Sequence, residues 1–263
     1  MSLCHCLLLL MACAPDNPAF TITPEVYQRE LARVQAEPCR LERPLVVLDA
    51  WHHPPLSGAG VRDRLVDLTG ADPQQAIAVS YPFLWSVEAA GRRVVERIEQ
   101  AWPSDDPERT IEVDVVGYSM GGIVARYAAD LWADLPADSR PAKRLNVRRL
   151  YTIASPHCGA RMARWLPLDS AARSMRPGSD MIERLNAALP EAGYQLVCYT
   201  QTNDVTVGAR NTAPPGMEPI WQPGTLLLSH QTVRINPHIL LDIALRLRGE
   251  APLAGPGSRP PRN

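Results

Sequence analysis

The sequence has a single lysine, almost no net charge and no long apolar run, and the last two absences each exclude a class of function. Lys143 is the only lysine among 27 basic residues, and a net charge of -1 gives no overall attraction for nucleic acid. No apolar run approaches the roughly 20 residues that a membrane-spanning helix needs. A C-x-x-C pair, a phosphate loop and a dinucleotide fingerprint are also absent from the sequence, so we expect no cofactor.

The composition that remains suits one globular domain. Hydrophobic residues make up 46% of the 263 residues and charged residues 21%, which is ample material for a core. We expect that domain over residues 41–248. A leader and tether would occupy residues 1–40, and the Gly-, Pro- and Arg-rich segment 249–263 is typical of a disordered tail.

The N-terminus leaves two locations open. Residues 7–11 form a short apolar stretch, and Cys13 completes the sequence Leu-Met-Ala-Cys, which resembles the lipobox of bacterial lipoproteins. Lipidation of Cys13 would attach an exported protein to the periphery of a membrane. Residues 1–6, however, contain no lysine or arginine, and the apolar stretch is short for a secretory leader. An apolar N-terminal arm on a cytoplasmic protein, or a misplaced start codon, is the alternative.

Predicted strands alternate with predicted helices along the chain. Apolar runs predict strands at residues 44–48, 76–79, 111–116, 149–154 and 195–200. Helical spacing and start signals predict a short helix from Pro24 and further helices at 61–68, 87–102, 121–131 and 236–247. This alternation is typical of an α/β fold with a mostly parallel central sheet and helices on both faces. Residues 160–193 interrupt it with helix and loop, and we interpret this insertion as a lid.

The segment that is most informative about function joins the third strand to the next helix. It contains Gly117-Tyr118-Ser119-Met120-Gly121, a Gly-x-Ser-x-Gly motif. A sharp strand-to-helix turn holds such a serine in a strained conformation clear of the sheet, and only small neighbours tolerate the close approach of the backbone. The alternative is a glycine-rich turn with an incidental serine, but the flanking strand and helix supply the context that a nucleophile requires.

Three blocks of sequence resemble bacterial lipases and related α/β-hydrolases. Residues 117–126, Gly-Tyr-Ser-Met-Gly-Gly-Ile-Val-Ala-Arg, are similar to their nucleophile turn, which usually has His where Tyr118 stands. Residues 150–159 resemble their Thr-Ile-Ala-Thr-Pro-His-x-Gly strand and loop, and residues 175–180 resemble their Pro-Gly-Ser segment near the lid. The resemblance covers roughly residues 45–247 and implies the α/β-hydrolase fold with a small helical lid insertion.

A serine nucleophile needs a base, and the base needs an acid that orients it. In this fold the order along the chain is serine, acid, histidine. His230 lies before the last helix, where the resemblance places the catalytic histidine; His157 belongs to a lipase-like block, and His238 to a helix start that disfavours imidazolium. Asp204 follows the fifth strand in a turn similar to the family's, whereas the alternative acid, Asp180, falls in the lid. The expected catalytic residues are Ser119, Asp204 and His230.

The oxyanion that forms in acyl transfer needs two backbone N–H donors. The resemblance assigns one to Met120, which follows the nucleophile, and one to Trp51, in the loop after the first strand. The family has His-Gly before that apolar position, and this sequence has Asp49-Ala50 instead. Apolar side chains of the insertion would form either an acyl pocket or a cover over the core: Trp165, Leu166, Leu168 and Met181.

Metal binding is not expected. His52 and His53 are adjacent in a loop, with no nearby group of cysteines or carboxylates to complete a site. We expect the cysteines outside the leader to be buried free thiols: Cys39, Cys158 and Cys198.

The residues together predict a serine hydrolase that cleaves carboxylic esters, an esterase or lipase, through an acyl-enzyme. Acyltransferases, thioesterases and amidases use the same three side chains, because the acyl pocket and the acceptor site decide the reaction. A non-catalytic binding protein on a hydrolase scaffold is a further alternative. The expected partner is a small-molecule or lipid ester, and the sequence leaves the acyl chain length and the oligomeric state open.

Overall fold

A six-stranded parallel sheet forms the centre of the computed structural model, which describes residues 15–51, 56–131, 143–166, 168–225 and 228–261. The strands are β1 (Leu45–Leu48), β2 (Ala76–Val79), β3 (Val113–Tyr118), β4 (Val147–Ile153), β5 (Gln195–Gln201) and β6 (Ile220–Gln222). Their order across the sheet is β2-β1-β3-β4-β5-β6, and every neighbouring pair is parallel. The expected parallel sheet is confirmed.

Two differences from the predicted strands matter for the site. Strand β3 continues to Tyr118, beyond the predicted end at residue 116, so the sheet runs directly into the serine turn. Strand β6 was not predicted, because its three residues lie between Pro219 and Pro223 and are too few to show a periodicity. It pairs with β5 at the edge of the sheet.

The helices follow the strands in the alternating order that the sequence predicts. They are α1 (Pro24–Ala36), α2 (Leu56–Thr69), α3 (Val87–Ala101), α4 (Met120–Asp130), α5 (Ser170–Ser174), α6 (Asp180–Ala188), α7 (Ser229–Thr232) and α8 (Pro237–Leu247). Helix α8 begins at its proline because the side chain of Asn236 accepts the N–H groups of His238 and Ile239. Among the described residues, no helix has the length and apolar content to span a membrane.

The helices cover both faces of the sheet, as predicted. Because side chains alternate along a strand, Val46 and Leu48 of β1 point to one core, which contains the buried faces of α3 and α4. Leu45 and Val47 point to the opposite core, which contains those of α2 and α8. This double cover explains the continuous apolar runs in the strands, since β1 and β3 are buried along their whole length.

Described residues at both ends of the chain, where the sequence predicts a tether and a disordered tail, make contacts with the domain. Residues 1–14, including Cys13, lie outside the described residues, but Phe20 and Val34 are buried in the core beneath α2 and α8. In the tail, the N–H of Ala254 donates to Asp242 Oδ1 (2.8 Å), and Ser258 Oγ accepts the indole N–H of Trp221 (3.0 Å). Specific hydrogen bonds therefore hold a segment whose composition alone suggested disorder.

The insertion between β4 and β5 consists of helices and loops, as expected. It contains a 3-10 turn at Met162–Arg164, then α5 and α6, and a second 3-10 turn at Leu189–Glu191. Ile182 and Leu185 of α6 are buried in the core that α3 and α4 share. The insertion follows the carboxyl end of β4, and the carboxyl ends of all parallel strands lie at the same edge of the sheet.

Candidate active site

Ser119 lies at the sharp turn between β3 and α4. Its backbone has φ 52° and ψ -120°, a conformation that non-glycine residues rarely adopt. A Cβ at Gly117 would lie 2.5 Å from the backbone nitrogen of Gly122, and a Cβ at Gly121 would lie 2.5 Å from the carbonyl oxygen of Leu48. Glycine is therefore required at both motif positions, because the turn packs backbone directly against backbone.

His230 lies beside the serine, in the short helix α7. Its Nε2 is 3.0 Å from Ser119 Oγ, and its side chain is buried. The hydroxyl of Tyr118 donates to the backbone carbonyl of His230 (2.7 Å), which fixes the turn that carries the histidine. Burial raises the pKa of Tyr118 far above its ordinary value of 10, so this hydroxyl stays protonated as a donor.

Asp204 completes the cluster behind the histidine. Its Oδ2 is 2.8 Å from His230 Nδ1, and its Oδ1 accepts the N–H groups of Thr206 and Val207, both at 2.9 Å. These backbone donors orient a carboxylate that is almost completely buried. Because a carboxylate only accepts, His230 Nδ1 carries the proton and Nε2 accepts from the Ser119 hydroxyl. The structure thus brings the three predicted side chains together.

The competing candidates lie elsewhere. His157 is fully buried between Arg126 Nη1 and Thr152 Oγ1, each 3.0 Å from a ring nitrogen. Burial, and after it the charge of Arg126, holds the pKa of His157 well below its ordinary value of 6.5. The side chain of Asp180 is 85% exposed at the start of α6, 3.6 Å from Arg184. His238 is half-buried near Gln222.

Part of the chain matches a known protein family. Residues 84–183 match the model of a family described as "Putative serine esterase (DUF676)". This segment holds α3, β3, the serine turn, α4, β4, α5 and the start of α6. A comparison with curated protein sequences found no match.

Solved structures share the architecture over most of the chain. The mature form of the lipase BlEst2 from Bacillus licheniformis superposes with a TM-score of 0.55 at 14% identity, covering 81% of this chain and 94% of that one. The phospholipase PlaB from Legionella pneumophila gives a TM-score of 0.50 at 13% identity, covering 65% of this chain and 45% of that one. This chain has the α/β-hydrolase fold.

Of the two residues expected to supply the oxyanion donors, Met120 follows the serine and Trp51 lines the same cavity. Met120 begins α4, so its N–H is one of the first-turn groups that have no partner within the helix. Trp51 follows β1 and lines the same cavity as Ser119. In the position of the family's His-Gly, Asp49 accepts the N–H of Ala50 through Oδ1 (2.8 Å) and that of Gly58 through Oδ2 (3.1 Å).

Two further contacts fix this loop, and the sequence analysis did not find them. The hydroxyl of Tyr81 donates to the backbone carbonyl of Asp49. The indole N–H of Trp51 donates to Asp169 Oδ2 in the insertion, at 2.7 Å. No local motif signals either contact, because the two partners of each are far apart in the sequence. Trp51 and Asp169 are 118 residues apart.

A mostly apolar cavity of about 320 Å³ opens above Ser119. The insertion supplies one wall with Met162, Leu166, Leu168 and Met175. Met181, which was grouped with the lid residues, packs instead against the core beside α4. For Met181 this contact agrees with the second of the two expectations, a cover over the core.

The described residues contain no cluster of three or more potential metal ligands. His52 and His53 lie outside the described residues. The described cysteines are free thiols, with Cys198 buried and the other two partly buried: Cys39 and Cys158.

Proposed function

We propose that this α/β-hydrolase is a serine esterase that cleaves carboxylic esters through an acyl-enzyme. The observation that carries the proposal is the continuous chain of contacts Ser119 Oγ to His230 Nε2 (3.0 Å) and His230 Nδ1 to Asp204 Oδ2 (2.8 Å), at the floor of an apolar cavity. The family match over the serine turn supports it.

In the proposed reaction, His230 takes the proton of Ser119 as the hydroxyl oxygen attacks the ester carbonyl carbon. The backbone N–H groups of Met120 and Trp51 stabilise the negative oxygen of the tetrahedral intermediate. The intermediate collapses, and the alcohol leaves with the proton that His230 holds. Water then attacks the acyl-enzyme by the same route, and Asp204 keeps the imidazole in the required tautomer throughout.

The surface around the cavity favours esters with apolar chains. The large apolar side chains that are exposed among the described residues all lie in connections that follow the carboxyl end of a strand. They are Phe83, Trp85, Met162, Trp165, Leu166, Leu168, Val205, Leu228 and Ile235. Three of them, Met162, Leu166 and Leu168, line the cavity, and exposed apolar side chains of this kind suit a substrate that is itself part of an apolar surface. Lipid esters are therefore the favoured substrates, which agrees with the interpretation of the insertion as a lid.

Acyl transfer and cleavage of thioesters or amides use the same three side chains and remain the alternatives. A binding protein without catalysis would not require Ser119 in a strained conformation within 3.0 Å of a buried imidazole. This arrangement is the reason to prefer an enzyme.

The test is labelling with a fluorophosphonate together with a panel of p-nitrophenyl esters of increasing acyl length. We expect wild-type protein to label and to turn over esters, and Ser119→Ala to do neither. Ser104→Ala, which removes a hydroxyl in the connection before β3, is the matched control and should behave as wild type. Labelling that persists in Ser119→Ala, or a folded wild type that neither labels nor hydrolyses any ester, would refute the proposal.

A further inference from the structure

One buried carboxylate joins the loop after β1 to the insertion. Asp169 Oδ2 accepts the indole N–H of Trp51 (2.7 Å), and Asp169 Oδ1 accepts the N–H of Ala172 (2.7 Å) as the N-cap of α5. Asp169 is buried although the preceding Leu168 is 70% exposed. The same side chain therefore starts a helix of the insertion and holds the residue expected to donate to the oxyanion.

Capping alone does not explain an acid at this position. Thr23, Ser86 and Ser179 each cap a helix of this chain with a single oxygen. A serine at position 169 would do the same without burying a carboxylate, which is costly unless both oxygens are hydrogen-bonded. The second oxygen of Asp169 serves Trp51, so the bridge accounts for the residue type.

Helix α5 depends on such outside contacts. Its five residues are too few for a helix to persist on its own. A second hydrogen bond, from the N–H of Ala171 to the carbonyl of Trp85 (2.8 Å), ties it to the loop after β2. Leu168 and Ala172, on either side of the bridge, line the cavity above Ser119. An acyl chain in the cavity would therefore press on the segment that holds Trp51.

We propose that Asp169 is a positioning residue for the oxyanion site, through which the insertion fixes the loop that carries Trp51. The inference rests on the proposed esterase function and extends it. When the insertion is seated, the indole bond keeps the Trp51 backbone N–H directed at the substrate carbonyl oxygen. When the bond is lost, the loop gains freedom and this N–H is no longer preorganised. Asp169 therefore contributes to stabilisation of the transition state and not to substrate binding.

Two substitutions remove the bridge from opposite sides. Asp169→Ser keeps a one-oxygen cap for α5 and removes the acceptor of Trp51, whereas Trp51→Phe keeps an aromatic ring and removes the indole N–H. Since deletion of a whole oxyanion donor costs about 10²–10³ in kcat, we expect its loosening to lower kcat by about 10–100-fold. KM should change by less than about threefold, as for a group that acts only in the transition state.

The matched control is Ser179→Ala, which removes the cap of α6 and the bond from the Ser179 hydroxyl to the Ser174 carbonyl at the end of α5, and leaves Asp169 and Trp51 unchanged. Affinity for a trifluoromethyl ketone, which forms a tetrahedral adduct with the serine, provides a second measurement and should fall in parallel with kcat. The double variant should be no worse than either single one, because both remove the same bond. Should Asp169→Ser fail to fold, Trp51→Phe carries the test alone.

Normal kcat in a folded Asp169→Ser or Trp51→Phe variant would overturn the inference while leaving the esterase proposal intact. A comparable loss in Ser179→Ala would also overturn it, because general loosening of the insertion would then explain the effect. A rise confined to KM would identify Asp169 as part of the substrate pocket only. Absence of wild-type turnover would reject the esterase proposal first, and this inference with it.

Discussion

Replacing Asp204 with asparagine tests the proposed catalytic cluster with little change of shape. The amide oxygen of Asn can still accept the N–H groups of Thr206 and Val207, which Asp204 Oδ1 accepts at 2.9 Å. The amide nitrogen then faces His230 Nδ1, where it can only donate. His230 must accept at Nδ1 and carry its proton on Nε2, so it presents a donor to Ser119 instead of a base.

The size of the effect follows from this change of tautomer. The fold is retained, because the hydrogen bonds of the buried carboxylate are replaced one for one. The general base is lost, and in a serine protease the equivalent change lowers kcat by about 10⁴, or roughly 5.5 kcal/mol of transition-state stabilisation. We expect kcat of Asp204→Asn to fall by about 10³–10⁴ with a nearly unchanged melting temperature.

The assay is hydrolysis of the best p-nitrophenyl ester, with circular dichroism to check folding. Asp180→Asn is the matched control, since Asp180 is the alternative acid and is 85% exposed next to Arg184. It should retain wild-type kcat. Asp204→Asn within tenfold of wild type, or a severe loss in Asp180→Asn, would show that the acid has been wrongly assigned.

Three further results are expected. Tyr118→Phe removes the hydroxyl that donates to the buried carbonyl of His230. It should lower the free energy of unfolding by about 1–2 kcal/mol and kcat by at most about tenfold. Unchanged stability in urea would contradict the role of this bond. Burial holds the pKa of His157 below 6.5, so the unfolded state takes up the proton first as pH falls. Between pH 7 and pH 5 wild type should therefore lose more stability than His157→Gln, and equal losses would refute this. Asp130, whose pKa burial raises to about 6, contributes in the opposite direction in both proteins. Deletion of residues 249–263 removes hydrogen bonds to Trp221 of β6 and Asp242 of α8 and should lower the melting temperature by about 4–10 °C, whereas a truly disordered tail would leave it unchanged.

The serine turn was predictable because its requirements are local. Gly117 and Gly121 are needed where backbone touches backbone, and both stand within two residues of Ser119 in the sequence. The order of strands and helices was predictable for a related reason, since β1 and β3 are buried on both faces and therefore apolar throughout. His230 and Asp204 were predicted from the order serine, acid, histidine along the chain, together with the positions that the resemblance to bacterial lipases implies.

The ends of the chain were harder to predict because their order depends on contacts with distant residues. The tail has the proline and glycine content of a disordered segment, yet Asp242 on α8 accepts the N–H of Ala254 and also the hydroxyl of Tyr199 (2.6 Å). A buried aspartate in a helix does not reveal its partners in the sequence. Composition therefore does not reveal the hydrogen bonds that this tail makes.

The loop after β1 departs from the pattern of the bacterial lipases that the sequence resembles. Those lipases have His-Gly at this position, where a glycine gives conformational freedom that Asp49-Ala50 lacks. Here side chains hold the loop instead. Asp49 closes it on Ala50 and Gly58, the Tyr81 hydroxyl holds the Asp49 carbonyl, and Asp169 holds the indole of Trp51.

These contacts come from three different strand-to-helix connections, those that follow β1, β2 and β4. A loop fixed from several sides needs no glycine to reach its geometry, but it depends on each neighbour remaining in place. Loosening any one contact should therefore affect the oxyanion donor more strongly than the overall stability of the domain. Comparing kcat with melting temperature across Tyr81→Phe, Trp51→Phe and Asp169→Ser measures that difference, and parallel losses in both quantities would show that the contacts serve the fold alone.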